Sequence, residues 1–162
     1  MKIPEIIQKM IDFPDGNIHD ISHFMMVWAY AKTIGEAEGL DEKTMFILET
    51  AAVIHDIACP LCREKYGSTN GKLQEKEGVP LAEDFLKECG LPEEQIKRIA
   101  YLVGHHHTFT EVAGADYQIL LEADYIANAA ESGYSLESAK TAAERIFKTK
   151  TGLSILKSIY KF

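Results

Sequence analysis

Residues 51–57 read Ala-Ala-Val-Ile-His-Asp-Ile, and this stretch decides the fold class that we expect for the chain. Its four leading apolar residues end a longer segment that begins at Asp41, a good helix N-cap. A helix that is apolar on nearly all sides is buried in a protein core. We therefore expect a central helix that is closed by His55 and Asp56, just before Pro60.

Helical periodicity also dominates the chain on both sides of this segment. Near the N-terminus, Ile3, Ile6, Ile7 and Met10 follow the i, i+3, i+4, i+7 spacing of an amphipathic helix. Further helices are predicted at about 20–38, 74–89, 92–104, 117–127, 136–147 and 153–160, and a loop at 58–73. The sequence thus predicts an all-α fold, a single-domain irregular helical bundle of about six to eight helices over residues 1–162.

The charge balance limits the class of partner. The chain of 162 residues has a formal net charge of −8, whereas nucleic-acid binding depends on clustered Lys and Arg side chains that neutralise phosphates. Nucleic acid is therefore not expected as the main partner. A small phosphorylated molecule fits if a metal ion and a few basic side chains form a local positive centre.

The first residues and the cysteines indicate the compartment. Residues 1–16 are interrupted by charges every few positions, so they resemble neither a signal peptide nor a membrane span, and no membrane partner is expected. Three cysteines, an odd number, fit a reducing environment. We expect a cytoplasmic protein, and the sequence does not indicate its oligomeric state.

Four ionisable residues at apolar positions carry the expected chemistry. His55 and Asp56 close the buried helix, where both side chains can converge on one ion just beyond the helix end. Asp124 lies on the apolar stripe of a later helix, and His23 lies on the inner face of an earlier one. Two imidazoles and two carboxylates suit an octahedral divalent ion, and the alternative is a set of hydrogen-bonded core residues.

At these positions the chain resembles the HD superfamily of metal-dependent phosphohydrolases, whose ordered signature is H…HD…D. The matching segments are His19-Asp20-Ile21-Ser22-His23, Ala52-Val53-Ile54-His55-Asp56-Ile57 and Leu121-Glu122-Ala123-Asp124. The resemblance implies the HD-domain fold, with His23, His55, Asp56 and Asp124 as the metal ligands. His19, four residues before His23, is either a rival for the first ligand position or a residue that contacts the substrate.

The resemblance also bears on the number of ions. Two-metal members of the superfamily place a histidine four residues before a Gly-Ala pair in the helix after HD, and here that stretch reads Gln74-Glu75-Lys76-Glu77-Gly78-Val79. We therefore expect one divalent ion, which is Mn²⁺, Fe²⁺, Mg²⁺, Ni²⁺, Co²⁺ or Zn²⁺. A second ion is the weaker alternative, with Gln74 or Glu77 as an oxygen ligand.

Three consecutive histidines, His105 to His107, are candidates for proton transfer. At least one of these imidazoles is expected to face the metal-bound water or the substrate, because imidazoles titrate near neutral pH. The candidate proton acceptors are His105, His106 and Glu77. The alternative is a solvated loop that has no part in catalysis.

Basic and polar residues after the HD pair are candidates for substrate binding. Arg63 and Lys72 lie in or next to the glycine-containing predicted loop, where each could orient a phosphate close to the ion. His19 and Gln74 are further candidate contacts of the substrate. Each of these side chains could instead be a solvated surface group.

The favoured function is metal-dependent hydrolysis of a small phosphate ester. In the expected mechanism the cation lowers the pKa of bound water, so that hydroxide attacks the phosphorus. The resemblance adds nucleotides to the candidate substrates. Two alternatives stay open, namely a non-catalytic metal- or nucleotide-binding regulatory module and a di-iron oxygenase of the same superfamily.

Overall fold

Nine helices make up the part of the chain that the computed structural model describes, residues 1–13 and 17–162, and this part contains no strand. In chain order they are α1 (Ile3–Asp12), α2 (Ile18–Ala37), α3 (Glu42–Ile54), α4 (Cys59–Tyr66), α5 (Gly71–Glu88), α6 (Glu93–Val103), α7 (Ala115–Ser132), α8 (Leu136–Arg145) and α9 (Lys150–Tyr160). The predicted all-α class and irregular bundle are therefore confirmed.

The predicted loop at 58–73 is largely helical, which accounts for a helix beyond the expected six to eight. Pro60 lies in the first turn of α4, where its missing N–H removes no helical hydrogen bond. The proline thus begins a helix. Gly67 ends α4 with a φ of +62°, and only Ser68 to Asn70 separate it from α5.

α3 is the central helix, as its sequence predicts. Every residue from Ile47 to Ile54 is buried, and α3 contacts α1, α2, α6 and α7. Asp41 caps its N-terminus by accepting a hydrogen bond from the Thr44 N–H at 3.0 Å. Because α3 ends at Ile54, the next two residues lie at the end of a helix that is enclosed by the core.

α2 and α7 pack against each other and against α3. Val27 and Ala31 of α2 are fully buried, as are Ala123 and Ala127 of α7. The small side chains let the helices approach closely. Polar residues on the same buried faces of α2 and α7 are therefore directed toward the end of α3.

The segment Glu42–Tyr66 is long and apolar enough to cross a membrane by length and composition alone. However, 78% of its most apolar window is buried inside the protein. This burial is typical of a core helix, and it follows from the central position of α3.

Candidate metal centre

The C-terminal end of α3 presents two side chains of the metal-ligand type. His55 is 1% exposed, and its Nδ1–H donates a hydrogen bond to the Ala52 carbonyl oxygen at 2.7 Å. This bond fixes the tautomer in which Nε2 carries the lone pair. The Asp56 carboxylate follows in the turn before α4, with its Oδ2 atom 3.5 Å from His55 Nε2.

α2 and α7 bring two more groups to the same point. His23 Nε2 lies 3.1 Å from His55 Nε2, and it lies 3.2 Å from both Asp56 Oδ2 and Asp124 Oδ1. Asp124 Oδ1 is 3.4 Å from His55 Nε2. The structure thus brings together the four residues that were predicted to be ligands, here called the His–Asp cluster (His23, His55, Asp56 and Asp124).

The geometry of His23, His55 and Asp56 fits a divalent cation, and Asp124 Oδ1 lies 3.2 and 3.4 Å from the Nε2 atoms of the two imidazoles. Two atoms that each lie ~2.1 Å from one ion are about 3.0 Å apart at a right angle and about 3.4 Å apart at a tetrahedral angle. The distances between neighbouring cluster atoms, 3.1 to 3.5 Å, agree with this range. His23 Nδ1 bonds to the Glu131 carboxylate at 3.0 Å, so the Nε2 lone pairs of His23 and His55 face each other. Facing lone pairs need a shared cation or a proton.

The two carboxylates make the cluster attractive to positive charge. Burial acts to lower the pKa of His23, but hydrogen bonds to Asp124 and Asp56 outweigh it and raise the pKa to about 11. Burial likewise opposes ionisation of Asp56, yet the neighbouring His55 imidazole and the hydrogen bonds from His106 and His23 hold the pKa of this carboxyl well below its usual range. Carboxylates that hold a proton on His23 this strongly can also hold a metal ion in place of that proton.

A second group of ligand atoms shares Asp56 with the cluster. Asp56 Oδ1 lies 3.2 Å from His106 Nε2, and Asp56, His106 and His107 each offer an atom within 4.8 Å of the others. Gln74 Oε1 lies 3.2 Å from the Nε2 atoms of both histidines. Asp56, His106 and His107 would hold a second ion, the alternative that the sequence disfavours.

Two of the three consecutive histidines lie at the centre, and the third points away from it. His106 is buried against His55, with ring centroids 5.2 Å apart. His107 lines the cavity described below, and burial together with the charge of His106 lowers its pKa to about 4, so it is neutral at neutral pH. His105 instead stacks on Tyr101 at 4.0 Å, and its Nδ1–H donates to the Tyr101 carbonyl. Its position therefore does not support the expected role of His105 as a proton acceptor.

An open cavity of about 270 Å³ gives access to the cluster. An ion pair between Arg63 of α4 and Asp20 of α2 forms part of its wall. Asp20 Oδ2 is buried, and it accepts no hydrogen bond from any residue that the structure describes. This oxygen can therefore accept one from a bound molecule. The other wall residues outside the cluster are His19, Cys59, Thr69, Gln74, His107, Asn128 and Glu131.

Two predicted site residues face partners outside this cavity. The Glu77 carboxylate accepts hydrogen bonds from Tyr66 and from Lys65 Nζ, so it links α5 to α4. Lys72 Nζ lies 3.0 Å from the Glu75 carboxylate, and 73% of the Lys72 side chain is exposed. The structure thus does not bring Glu77 or Lys72, the predicted proton acceptor or ligand and the predicted phosphate contact, to the wall of this cavity.

Two residues of the site were not predicted from the sequence. The Glu131 carboxylate holds the His23 ring, and Asn128 Nδ2 donates a hydrogen bond to Asp124 Oδ1 at 2.9 Å. Both follow Asp124 at helical spacing, four and seven residues later, on the same face of α7. That spacing is the signal that could have identified them.

Comparisons with known proteins agree with this geometry. The model of the HD domain family matches residues 20–148. Among solved structures, the crystal structure of a predicted HD superfamily hydrolase from an uncultured Thermotogales bacterium aligns with a TM-score of 0.70 at 23% identity, over 99% of this chain and 84% of that chain. No curated protein matches the sequence. The structural likeness shows a shared fold, and the family match contains the whole His–Asp cluster. The chain therefore belongs to the HD domain family.

Proposed function

We propose that the protein is a metal-dependent phosphohydrolase that cleaves a small phosphate ester, with nucleotides among the candidate substrates. The observation that carries the proposal is the His–Asp cluster itself, whose neighbouring ligand atoms lie 3.1 to 3.5 Å apart beside a cavity that also contains Arg63. Membership of the HD domain family supports hydrolytic chemistry at such a cluster.

The His–Asp cluster would hold one divalent cation, and its mixture of imidazole nitrogens and carboxylates suits Mn²⁺, Fe²⁺, Mg²⁺, Ni²⁺, Co²⁺ or Zn²⁺. Such an ion lowers the pKa of water and neutralises charge on phosphoryl oxygens. Glu131 and Asn128 orient the His23 and Asp124 side chains through bonds of 3.0 and 2.9 Å. Supporting bonds of this kind strengthen metal binding.

His106 provides a proton-transfer group beside the cluster. Its Nδ1–H is occupied by a backbone carbonyl, and its Nε2 faces Asp56 Oδ1 at 3.2 Å, so a proton can be held at Nε2 or passed to the carboxylate. His107 is neutral and lines the cavity, where it can hydrogen-bond to an ester oxygen. Position thus favours His106 over His105 and Glu77 as the group that transfers a proton beside the cluster.

Arg63→Ala is expected to lower kcat/KM by roughly 10- to 100-fold with little change in metal content, because a charge-assisted contact to phosphate is lost. Arg63 lines the cavity and needs only to leave Asp20 to reach an anion there. The measurement is kcat/KM on the best substrate, beside metal stoichiometry for the same preparation.

Lys72→Ala is the matched control, because it also removes one cation from this region. Lys72 pairs with Glu75 and Thr108 and does not line the cavity, so we expect its kcat/KM to stay within about threefold of wild type. If Lys72→Ala lowered kcat/KM as much as Arg63→Ala does, the proposal that Arg63 binds the phosphate would be refuted.

The function is tested by metal analysis and a panel of small phosphate esters. The purified protein is assayed with each of the six ions, and we expect about one ion per chain and hydrolysis of at least one ester. Bound metal without turnover of any ester would favour the regulatory module. Two irons per chain with oxygen consumption would favour the oxygenase.

We also infer that the protein acts in the cytosol. Cys59, Cys62 and Cys89 are buried free thiols, as a reducing compartment allows. Burial raises the pKa of each of the three thiols, which keeps them protonated and unreactive.

A further inference from the structure

A second, larger cavity of about 660 Å³ lies between α7, α8 and the segment that follows His107. Its volume falls within the range of about 300–1,000 Å³ that is typical of small-molecule sites. Aromatic and small polar side chains dominate its wall. The residues that matter to the argument are Phe109, Tyr125, Tyr134, Ser138, Thr141 and Arg145.

Two aromatic side chains in the wall of this cavity are exposed to solvent. Phe109 is 49% exposed and Tyr134 is 39% exposed, although both rings are large and apolar. Tyr125 is held in place by Phe147, whose ring meets it nearly at right angles at 5.7 Å, and by Tyr134 at 5.4 Å. The part of the wall formed by Tyr125 and Tyr134 is therefore ordered by packing before any ligand binds.

The aromatic cavity adjoins the metal centre along the chain at three points. Phe109 is two residues after His107, Tyr125 directly follows Asp124, and Tyr134 is three residues after Glu131. Burial and the negative charge of Asp124 raise the pKa of Tyr134, which places the phenol within electrostatic reach of the cluster. Residues of this cavity are therefore near neighbours along the chain of residues that surround the cluster.

We propose that this cavity is a specificity subsite that binds a planar aromatic group on the organic side of the phosphate ester. The inference rests on the proposed function, because it assumes that the phosphate lies at the His–Asp cluster. Phe109 and Tyr134 offer apolar ring faces for stacking.

Polar groups in the wall add selectivity to this stacking. The guanidinium of Arg145 can lie against an aromatic plane or donate to a heteroatom at its edge. The hydroxyls of Ser138 and Thr141 can donate or accept hydrogen bonds at the same edge. An aromatic group with polar edges therefore fits better than an alkyl chain.

The test compares two phosphonates that resist hydrolysis, benzylphosphonate and methylphosphonate, by calorimetric titration of the metal-loaded protein. We expect wild type to bind the benzyl compound roughly tenfold more tightly, a preference that one aromatic stacking contact can supply. Phe109→Ala and Tyr134→Ala should each reduce this ratio toward one while methylphosphonate binding stays unchanged. Phe162→Ala, which removes an exposed ring lining other cavities, should retain the full ratio.

The outcomes separate the subsite from the proposed function. A benzyl-to-methyl ratio near one in wild type, or a full ratio in both Phe109→Ala and Tyr134→Ala, overturns the subsite even if esters are hydrolysed. If no ester is hydrolysed, but wild type prefers benzylphosphonate and both variants lose this preference, the proposed hydrolase activity is wrong. The protein would then have a binding site for aromatic phosphates without hydrolysing them. A change of oligomeric state in Phe109→Ala with an unchanged ratio would show that the cavity is a contact between copies of the chain. The exposed position of Phe109 keeps this variant folded, which circular dichroism checks.

Discussion

Asp56→Ala is expected to leave the purified protein with less than about a tenth of the wild-type metal and to lower kcat/KM by a factor of roughly 10³ or more. Asp56 is the carboxylate with the most neighbours at the centre, since one oxygen faces His23 and His55 and the other faces His106. Its removal takes away both a ligand and the charge that balances the ion. Plasma emission analysis and kinetics on one preparation measure both effects.

The control for this variant is Asp84→Ala, which removes a carboxylate that is 77% exposed on α5. We expect wild-type metal content and kinetics for Asp84→Ala, because surface charges contribute little at this range. Wild-type metal in folded Asp56→Ala would show that the His–Asp cluster is not the metal site.

Glu122→Ala is expected to lower the free energy of unfolding by roughly 3–5 kcal/mol, without removing a ligand. Glu122 is completely buried, and its carboxylate accepts hydrogen bonds from the Lys148 N–H at 2.7 Å and the Thr149 N–H at 2.9 Å. Gln118 and the Thr149 hydroxyl donate to the same carboxylate. The alanine takes the acceptor from these part-buried donors and detaches the start of α9 from α7. Urea unfolding followed by circular dichroism measures the loss.

Two further variants test this explanation. Glu122→Gln retains one carbonyl acceptor, so it should lose less stability than Glu122→Ala. Glu144→Ala removes an exposed carboxylate from α8 and should change the unfolding free energy by less than about 0.5 kcal/mol. A loss below about 1 kcal/mol in Glu122→Ala would mean that the donors find water or other partners.

The sequence predicts the framework of the site because that framework rests on simple patterns. The apolar run before His55 fixes a buried helix, and Asp124 stands out as a carboxylate on an apolar stripe. α4 was missed because a proline was read as a stop, although proline is equally suited to the first turn of a helix.

The remaining assignments depended on contacts that a sequence does not contain. His105 and His106 are adjacent and follow the end of α6. Hydrogen bonds to the Tyr101 and Val103 carbonyls set the directions of the two rings. Lys72 is drawn to Glu75 on the next turn of its own helix. Local pairing of this kind competes with every longer-range role that a basic residue could have.

The His–Asp cluster draws its ligands from α2, the end of α3 and α7, and this has a consequence for biosynthesis. When the ribosome has made Asp56, the growing chain offers only part of the set, and Asp124 emerges after most of the sequence. Until α7 arrives, the buried faces of α2 and α3 lack their cover and are open to chaperones or to aggregation. An ion that needs all four ligands could therefore bind only after Asp124 has emerged from the ribosome and α7 has packed onto α2 and α3.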